Sequence, residues 1–186
     1  MLLLFPGAGS DASHRSLRTI EGWVAPHPCR RVDFPYRIAG RKAPDRPPVL
    51  MAAVRDEIGS IGPDEPLVLG GRSMGGRICS MVAAGADGAP PPAGLKGLIL
   101  ISYPLHPPGK PDRLRVEHLP DIAVPTLFVS GDRDAFGTPD ELRRWSATMP
   151  KKTKVRHLFL EGRGHDLTAS DHTIAGAVAD FLELVL

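Results

Sequence analysis

The chain has 186 residues, of which 42% are apolar and 24% are charged, a composition that is ordinary for a globular protein. Its formal net charge is only +2, with basic and acidic residues interspersed, so we expect neither a nucleic-acid partner nor a membrane partner. Two cysteines, Cys29 and Cys79, give no disulfide framework, and no cysteine or histidine spacing indicates a metal or cofactor. No apolar run approaches a membrane span, and Met1–Phe5 lacks the basic flank of a signal peptide, so we expect one cytoplasmic domain over residues 1–186.

Segments typical of strands alternate along the chain with segments typical of helices. Most strand segments are continuous apolar runs, as expected when both faces of a parallel sheet are covered. In chain order, the predicted strands are Leu2–Phe5, Arg30–Phe34, Leu67–Leu69, Leu98–Ile101, Thr126–Ser130 and Val155–Leu160. The predicted helices are Ser13–Val24, Val49–Ile58, Gly75–Ala84, Pro139–Met149 and Thr173–Leu186, with Asp171 as the N-cap of the last.

Three proline-rich segments are predicted loops: Pro35–Pro48, Ala89–Gly94 and Tyr103–Pro120, the last of which is expected to form a pocket wall. The β-α alternation indicates an α/β domain with a parallel sheet and right-handed crossovers. Active sites of such sheets lie outside the carboxyl ends of the strands, so catalytic residues should directly follow strands. An edge strand near the chain start would be able to pair two subunits, and the sequence leaves the oligomeric state open.

The segment Gly71-Arg72-Ser73-Met74-Gly75 carries the pattern G-x-S-x-G between a predicted strand and a predicted helix. This pattern is typical of a nucleophile elbow, in which a serine on a sharp turn projects its hydroxyl above the sheet. Glycine is expected on both sides because the backbone there approaches other chain segments closely. Ser73 is therefore the predicted nucleophile, and the Met74 N–H is predicted to bind an oxyanion. A flexible glycine–serine turn is the alternative interpretation of so short a motif.

The general base for Ser73 should be a histidine late in the chain that follows a strand. His165 fits this requirement because it follows the last predicted strand in a glycine-flanked loop. His172 is the main rival, although it lies more naturally at the start of the final helix. A solvent-exposed loop histidine is the other interpretation of His165.

The carboxylate that orients the base should follow the preceding predicted strand, where Asp132 and Asp134 both lie. We favour Asp134 because the chain has room there to turn toward the sheet edge, whereas Asp132 is predicted to cap the turn by bonding local N–H groups. The resulting order of Ser73, Asp134 and His165 is the order found in α/β-hydrolases.

A glycine-rich loop, Phe5–Ser10, follows the first predicted strand. It lacks both G-x-G-x-x-G and the Lys-Ser/Thr of a phosphate-binding loop, so it more simply offers the Ala8 N–H as a second oxyanion donor opposite Met74. Arg72 either forms a structural salt bridge or attracts a carboxylate-bearing substrate. The candidates for substrate binding are Arg72, Tyr103, His106 and Phe136.

With these residues in place, the whole chain resembles a small α/β-hydrolase without a cap domain. The elbow, the segment 130–142 and Gly164-His165-Asp166-Leu167 are similar to an uncharacterised alpha/beta-hydrolase-like group related to dienelactone hydrolases. That group includes a testis-expressed protein and a subunit of a chromatin-acetylating complex. By this resemblance, the first predicted strand is expected to correspond to the third strand of larger members. The resemblance therefore implies a compact core with six mostly parallel strands in the order 2-1-3-4-5-6 and helices on both faces.

Carried over by motif, the resemblance implies that Ser73 is the nucleophile, Asp134 the acid and His165 the base, with Ala8 and Met74 as oxyanion donors. One departure concerns the loop after the first strand, where Pro6 takes the place of the family's usual histidine. This departure leaves the backbone role of the loop intact but removes one orienting side chain.

The leading hypothesis is a serine hydrolase that acts on a small-molecule ester or thioester through an acyl-enzyme intermediate. Because fold does not fix function, a non-catalytic interaction module with the same fold is the alternative. A third interpretation, a flavodoxin-like nucleotide or phosphate binder, fits the strand order but leaves Ser73 and His165 unexplained. A separation of these two side chains beyond about 6 Å would favour that third interpretation.

Overall fold

A computed structural model describes residues 1–62 and 65–186, and in these residues six strands form one sheet. The strands are β1 (Leu2–Phe5), β2 (Cys29–Arg31), β3 (Leu67–Arg72), β4 (Leu95–Ile101), β5 (Thr126–Gly131) and β6 (Val155–Leu160). The helices are α1 (Arg15–Trp23), α2 (Pro35–Ile38), α3 (Pro47–Gly59), α4 (Met74–Ala83), α5 (Pro139–Ser146) and α6 (Asp171–Val185). A 3₁₀ turn covers Leu119–Asp121.

The strands lie in the order β2-β1-β3-β4-β5-β6, and each neighbouring pair is parallel. This arrangement confirms the predicted α/β fold and the predicted strand order. Phe5 pairs with Gly71, and Arg72 pairs with Ile101, so β1, β3 and β4 end at the same edge of the sheet. Residues that directly follow these strands therefore converge there, as parallel topology requires.

Helices cover both faces of the sheet, as predicted. Successive side chains of β1 lie on opposite faces of the sheet. Leu2 and Leu4 pack into one core, and Leu3 and Phe5 pack into the other. The first core also buries the apolar stripes of α1 and α6, and the second buries those of α3, α4 and α5. The sheet is consequently buried on both sides, which explains why its central strands are continuous apolar runs.

The second strand is shorter than the predicted strand Arg30–Phe34, because β2 covers only Cys29–Arg31. The strand ends at Arg31, and Phe34 is the N-cap of α2, with Pro35 at a first-turn position where its missing N–H costs nothing. The segment Pro35–Pro48 is therefore only partly a loop, because α2 lies within it and α3 begins at its end.

The last helix begins one turn before its apolar stripe. Ser170 is its N-cap and Asp171 its first residue, so the prediction of Asp171 as N-cap is wrong. The Asp171 carboxylate instead lies 3.2 Å from the Arg15 guanidinium, where it links α6 to α1. A carboxylate in the first turn of a helix also suits the helix dipole.

Candidate active site

Ser73 lies between β3 and α4 in a backbone conformation that residues with side chains rarely adopt. Its φ is 50° and its ψ is −117°. A Cβ atom at Gly71 would lie 2.6 Å from the Phe5 carbonyl oxygen, and one at Gly75 would lie 2.5 Å from the Pro6 carbonyl oxygen. Both positions therefore require glycine, for the steric reason that the motif predicts. The turn presents the Ser73 hydroxyl at the carboxyl edge of the sheet.

Ser73, His165 and Asp134 form a continuous hydrogen-bonded relay. His165 Nε2 is 2.8 Å from Ser73 Oγ, and His165 Nδ1 is 2.8 and 3.0 Å from the two oxygens of Asp134. Because a carboxylate only accepts hydrogen bonds, Nδ1 carries the proton and Nε2 accepts from the serine hydroxyl. The structure thus brings the three predicted residues together. The 2.8 Å between His165 Nε2 and Ser73 Oγ is well below the separation of about 6 Å that would favour a flavodoxin-like binder.

The loops that carry Asp134 and His165 are joined by backbone hydrogen bonds. The Arg133 N–H donates to the Arg163 carbonyl at 2.9 Å. The second loop crosses so close above Gly131 that a Cβ atom there would lie 2.7 Å from the Gly164 carbonyl oxygen. Asp134 itself is 3% exposed, and it also accepts the Phe136 N–H at 2.8 Å. The carboxylate is therefore fixed before any substrate arrives.

The two rival residues do not reach this relay. His172 is exposed, and its ring lies beside Trp23 with 5.3 Å between centroids. Asp132 makes no side-chain hydrogen bond within residues 1–62 and 65–186, and its buried Oδ1 is unpartnered. The predicted turn-capping role of Asp132 is therefore not found. Its N–H instead donates to the Leu160 carbonyl at 3.1 Å, so the backbone rather than the side chain holds this turn.

Two buried side chains hold the backbone carbonyl of His165. Ser102 Oγ donates to it at 2.7 Å and Arg72 Nη2 donates to it at 2.9 Å. The imidazole itself stacks on Phe136, with 4.0 Å between ring centroids. Sequence reasoning missed Ser102, although it directly follows β4, where the carboxyl-edge rule places functional residues. Ser102 has a φ of 51°, so a second strained serine lies beside Ser73.

Arg72 also contacts His14, a histidine outside the relay. Arg72 Nη1 donates to His14 Nε2 at 3.0 Å, and His14 Nδ1 lies 2.8 Å from Ser16 Oγ. Burial, together with the Arg72 charge, lowers the pKa of His14, which keeps its Nε2 lone pair free to accept. Arg72 is thus held by uncharged partners. Among the described residues it makes no salt bridge, which was one of its two expected roles, and its guanidinium is not free for a substrate carboxylate, which was the other.

The predicted oxyanion donors, Ala8 and Met74, both line the same cavity as Ser73. Met74 is the first residue of α4, so its N–H has no acceptor within the helix. Ala8 lies in the loop after β1, where its carbonyl accepts the Tyr36 hydroxyl at 2.9 Å. A Cβ atom at Gly7 would lie 3.5 Å from the Ser73 Cβ, so this loop passes directly over the nucleophile.

A cavity of about 670 Å³ opens in front of Ser73, a size typical of small-molecule sites. It is lined by the loop after β1, by Ser73 and His165 of the relay, by the first turn of α4 and by parts of the loops after β4 and β5. The lining residues are Gly7, Ala8, Gly9, Ser10, His14, Arg72, Ser73, Met74, Arg77, Pro104, Arg115, Phe136 and His165. Of the candidates for substrate binding, Arg72 and Phe136 lie in the wall, and the basic side chains of His14, Arg77 and Arg115 lie with them. Pro104 and Arg115 come from the loop that was predicted to form a pocket wall.

Tyr103 and His106, which were also predicted to line the pocket, do not lie in the cavity wall. The Tyr103 ring packs edge-on against Phe128 in the core, and its hydroxyl donates to the Arg115 carbonyl at 2.7 Å. His106 is 6% exposed, with Nδ1 2.9 Å from the Pro107 carbonyl oxygen. The reason is the sharp turn at Ser102, after which the chain directs these side chains into the interior.

The parallel sheet, the turn at Ser73 and the relay beside it define the class of α/β hydrolases. Comparison with known families agrees, because the family described as "Alpha/beta hydrolase domain" matches residues 1–180. The chain belongs to this family. The comparisons do not test the finer relation to dienelactone hydrolases, which stays a prediction.

Solved structures of α/β hydrolases share the fold of this chain at low sequence identity. Est1E from Butyrivibrio proteoclasticus with bound ferulic acid has a TM-score of 0.76 at 15% identity, over 99% of this chain and 88% of that one. A monoacylglycerol lipase from Paleococcus ferrophilus has a TM-score of 0.76 at 16% identity, over 100% and 94% of the two chains. The thioesterase domain from the curacin biosynthetic pathway has a TM-score of 0.68 at 19% identity, over 98% and 90%.

No helix in residues 1–62 and 65–186 combines the length and the apolar character that are needed to cross a membrane.

Proposed function

We propose that the chain is a serine hydrolase that cleaves a carboxylic ester or thioester through an acyl-enzyme intermediate. The observation that carries this proposal is the relay, in which one imidazole lies 2.8 Å from both the Ser73 hydroxyl and the Asp134 carboxylate. A nucleophile, a base within hydrogen-bond reach and a group that orients the base are the requirements of this chemistry.

In the first half-reaction, His165 Nε2 takes the proton of Ser73 as Oγ attacks the substrate carbonyl carbon. The negative charge that develops on the carbonyl oxygen is stabilised by the Ala8 and Met74 N–H groups. His165 then gives the proton to the departing alcohol or thiol, and the acyl group remains on Ser73. Asp134 stabilises the imidazolium that forms and keeps Nδ1 protonated.

In the second half-reaction, water takes the place of the leaving group. His165 removes a proton from the water as it attacks the acyl carbon, and the C–O bond to Ser73 breaks. The serine regains its proton from the imidazolium, and a carboxylic acid leaves. No redox step or cofactor is needed, because the reaction balances as an acyl transfer to water.

The structural neighbours support this choice of bond. They include a monoacylglycerol lipase and a thioesterase domain, both of which transfer acyl groups. At 16% and 19% identity they support the fold and the reaction class, and they leave the acyl group and the leaving group of this chain open. The cytoplasmic location predicted from the sequence stays a prediction.

A fluorophosphonate probe tests the proposal, because it forms a bond only with an activated serine. We expect the wild-type protein to gain one probe mass, located on Ser73 by peptide mass spectrometry, and to hydrolyse a short p-nitrophenyl ester. Ser73→Ala should lose both properties while it keeps its circular dichroism spectrum. Ser60→Ala is the matched control, since Ser60 is exposed and lies outside the cavity.

Absence of labelling in a folded wild-type protein would contradict the proposal. It would favour the alternative that the sequence leaves open, a non-catalytic interaction module with the same fold.

A further inference from the structure

Two arginines in the cavity wall have side chains without a partner among the described residues. Arg77 and Arg115 both line the cavity in front of Ser73. In residues 1–62 and 65–186, neither guanidinium makes a hydrogen bond, and neither lies within 4 Å of a carboxylate. Arg72, the third arginine of the wall, already binds His14 and His165. The two unpaired groups are therefore the ones available to a ligand.

Two other half-buried arginines, Arg55 and Arg31, are paired with carboxylates. Arg55 makes two hydrogen bonds to the Asp87 carboxylate, at 2.7 and 2.8 Å, and Arg31 binds Glu21 at 2.8 Å. Arg77 and Arg115 have no such carboxylate among the described residues, and both line the same cavity in front of Ser73. A ligand in this cavity is therefore able to supply the anion.

Without a bound ligand, the surroundings of the Arg77 guanidinium are unfavourable for the stability of the protein. Its Nε is buried and has no hydrogen-bond partner, although desolvating a donor without a partner is unfavourable. It also lies in the first turn of α4, where the helix dipole favours negative charge rather than positive. Arg115 lines the same cavity, and its pKa is lowered by burial and then by the Arg77 charge. A bound anion would relieve all of these costs.

We propose that the substrate of this site carries an anionic group, a carboxylate or a group of like charge, that binds between Arg77 and Arg115. The proposal rests on the proposed function and adds the class of substrate to it. The Arg77 N–H donates to the Ser73 carbonyl at 3.0 Å, so Arg77 follows the nucleophile by one helical turn, roughly 5–6 Å. Arg77, Arg115 and Ser73 line one cavity, so the anionic group lies in the same cavity as the acyl carbon.

Paired esters that differ only in charge test this proposal. The first pair is p-nitrophenyl hydrogen glutarate and its neutral methyl ester, which place the charge on the acyl group. The second pair is 4-acetoxybenzoate and its methyl ester, which place it on the leaving group. We expect wild-type kcat/KM to favour the charged member of at least one pair by about tenfold to a hundredfold, as for hydrogen bonds to charged groups.

The pair that shows the preference tells whether the anion belongs to the acyl group or to the leaving group. Arg77→Met and Arg115→Met should each reduce the preference at least tenfold, mainly through KM. Arg113→Met is the matched control, because Arg113 is exposed on the same loop as Arg115, and it should keep the wild-type preference. A wild-type enzyme that prefers neither charged ester overturns the proposal.

A binding measurement keeps this test independent of catalysis and of the stability of the variants. At constant ionic strength, monomethyl glutarate should raise the melting temperature of the wild-type protein, and neutral dimethyl glutarate should not. Equal effects of the two compounds contradict the anionic site. If Ser73→Ala still hydrolyses the esters, the proposed function fails, while the melting data still decide whether the anion site exists.

Discussion

The two sides of the cavity differ in how completely their polar groups are paired. On the relay side, formed by Ser73, Asp134 and His165, the hydroxyl, the imidazole and the carboxylate all have partners within the protein. On the arginine side, formed by Arg77 and Arg115, the guanidinium groups have none among the described residues. Catalytic groups are most effective when they are fixed before the substrate binds. Groups that bind a ligand need hydrogen-bond donors that are not already paired within the protein.

The relay side is braced by backbone as well as by side chains. The Asp134 loop and the His165 loop share hydrogen bonds, and the His165 carbonyl is held by both Ser102 and Arg72. The arginine side lacks such bracing of its side chains, although the Tyr103 hydroxyl holds the Arg115 carbonyl. The difference predicts that substitutions on the relay side change kcat for every substrate. Those on the arginine side should change the choice of substrate.

The largest expected effect is that of Asp134→Asn. The amide would present a donor to Nδ1 and favour the wrong imidazole tautomer, so we expect kcat to fall on the order of 10⁴-fold at unchanged KM. Steady-state kinetics with a neutral p-nitrophenyl ester measures this effect. Asp132→Asn is the matched control, because Asp132 lies in the same turn but does not contact His165, and it should retain most of the activity. Equal losses in the two variants would contradict the assigned role of Asp134.

Arg72→Met tests whether Arg72 belongs to the relay side or to the arginine side. It removes the bonds to the His165 carbonyl and to His14, so the base loses part of its positioning. A misplacement of about 1 Å costs roughly a hundredfold in rate, and we expect kcat to fall tenfold to a hundredfold for charged and neutral esters alike. A rise in KM confined to anionic esters would instead assign Arg72 to substrate binding.

The relay side of the site is more visible in the sequence than the arginine side. The positions of Ser73, Asp134 and His165 follow from strand ends, glycine spacing and chain order, which are local signals. Arg77 and Arg115 come from α4 and from the long loop after β4. No periodicity in the sequence indicates that these two side chains meet in one cavity, because their proximity depends on the path of that loop.

The predicted fold errs where backbone packing overrides local signals. β3 extends to Arg72 through Gly70 and Gly71, two residues that read as a turn. They pair with β1 on one side and with β4 on the other. The space between these strands is narrow, because a Cβ atom at Gly70 would lie 3.1 Å from side-chain atoms of both Leu4 and Ile99. In the same way, Tyr103 was expected in the pocket wall from its position after a strand. The turn at Ser102, which the sequence does not reveal, buries it.

The charge of the arginine side also predicts a pH dependence of stability, through His118. Burial lowers the pKa of His118 to about 4, and the Arg77 charge contributes to this shift. Between pH 6.5 and pH 4 the unfolded imidazole binds a proton that the folded one does not. The free energy of unfolding should therefore fall by up to about 3 kcal/mol on acidification.

Urea unfolding at pH 7.5, 5.5 and 4.5 measures this dependence. His118→Gln should lower stability at pH 7.5, because the imidazole contacts Ser80 at 2.7 Å, and it should flatten the decline toward pH 4.5. His172→Gln is the control, since His172 is exposed, and its slope should match that of the wild type. Parallel slopes for His118→Gln and the wild type would contradict the neutral, buried state of His118.

The smallest expected effect concerns the support of the relay side rather than its chemistry. The loop that carries Asp134 continues into α5, and a capping box fixes the start of this helix. The Thr138 side chain accepts a hydrogen bond from the Glu141 N–H, and the Glu141 carboxylate accepts one from the Thr138 N–H. Thr138→Ala should lower the free energy of unfolding by about 1 kcal/mol in urea titrations. Because Asp134 is held independently by the Phe136 N–H and by His165, we expect kcat to change less than twofold. A large loss of kcat at this small cost in stability would mean that α5, rather than the paired loops, positions the carboxylate.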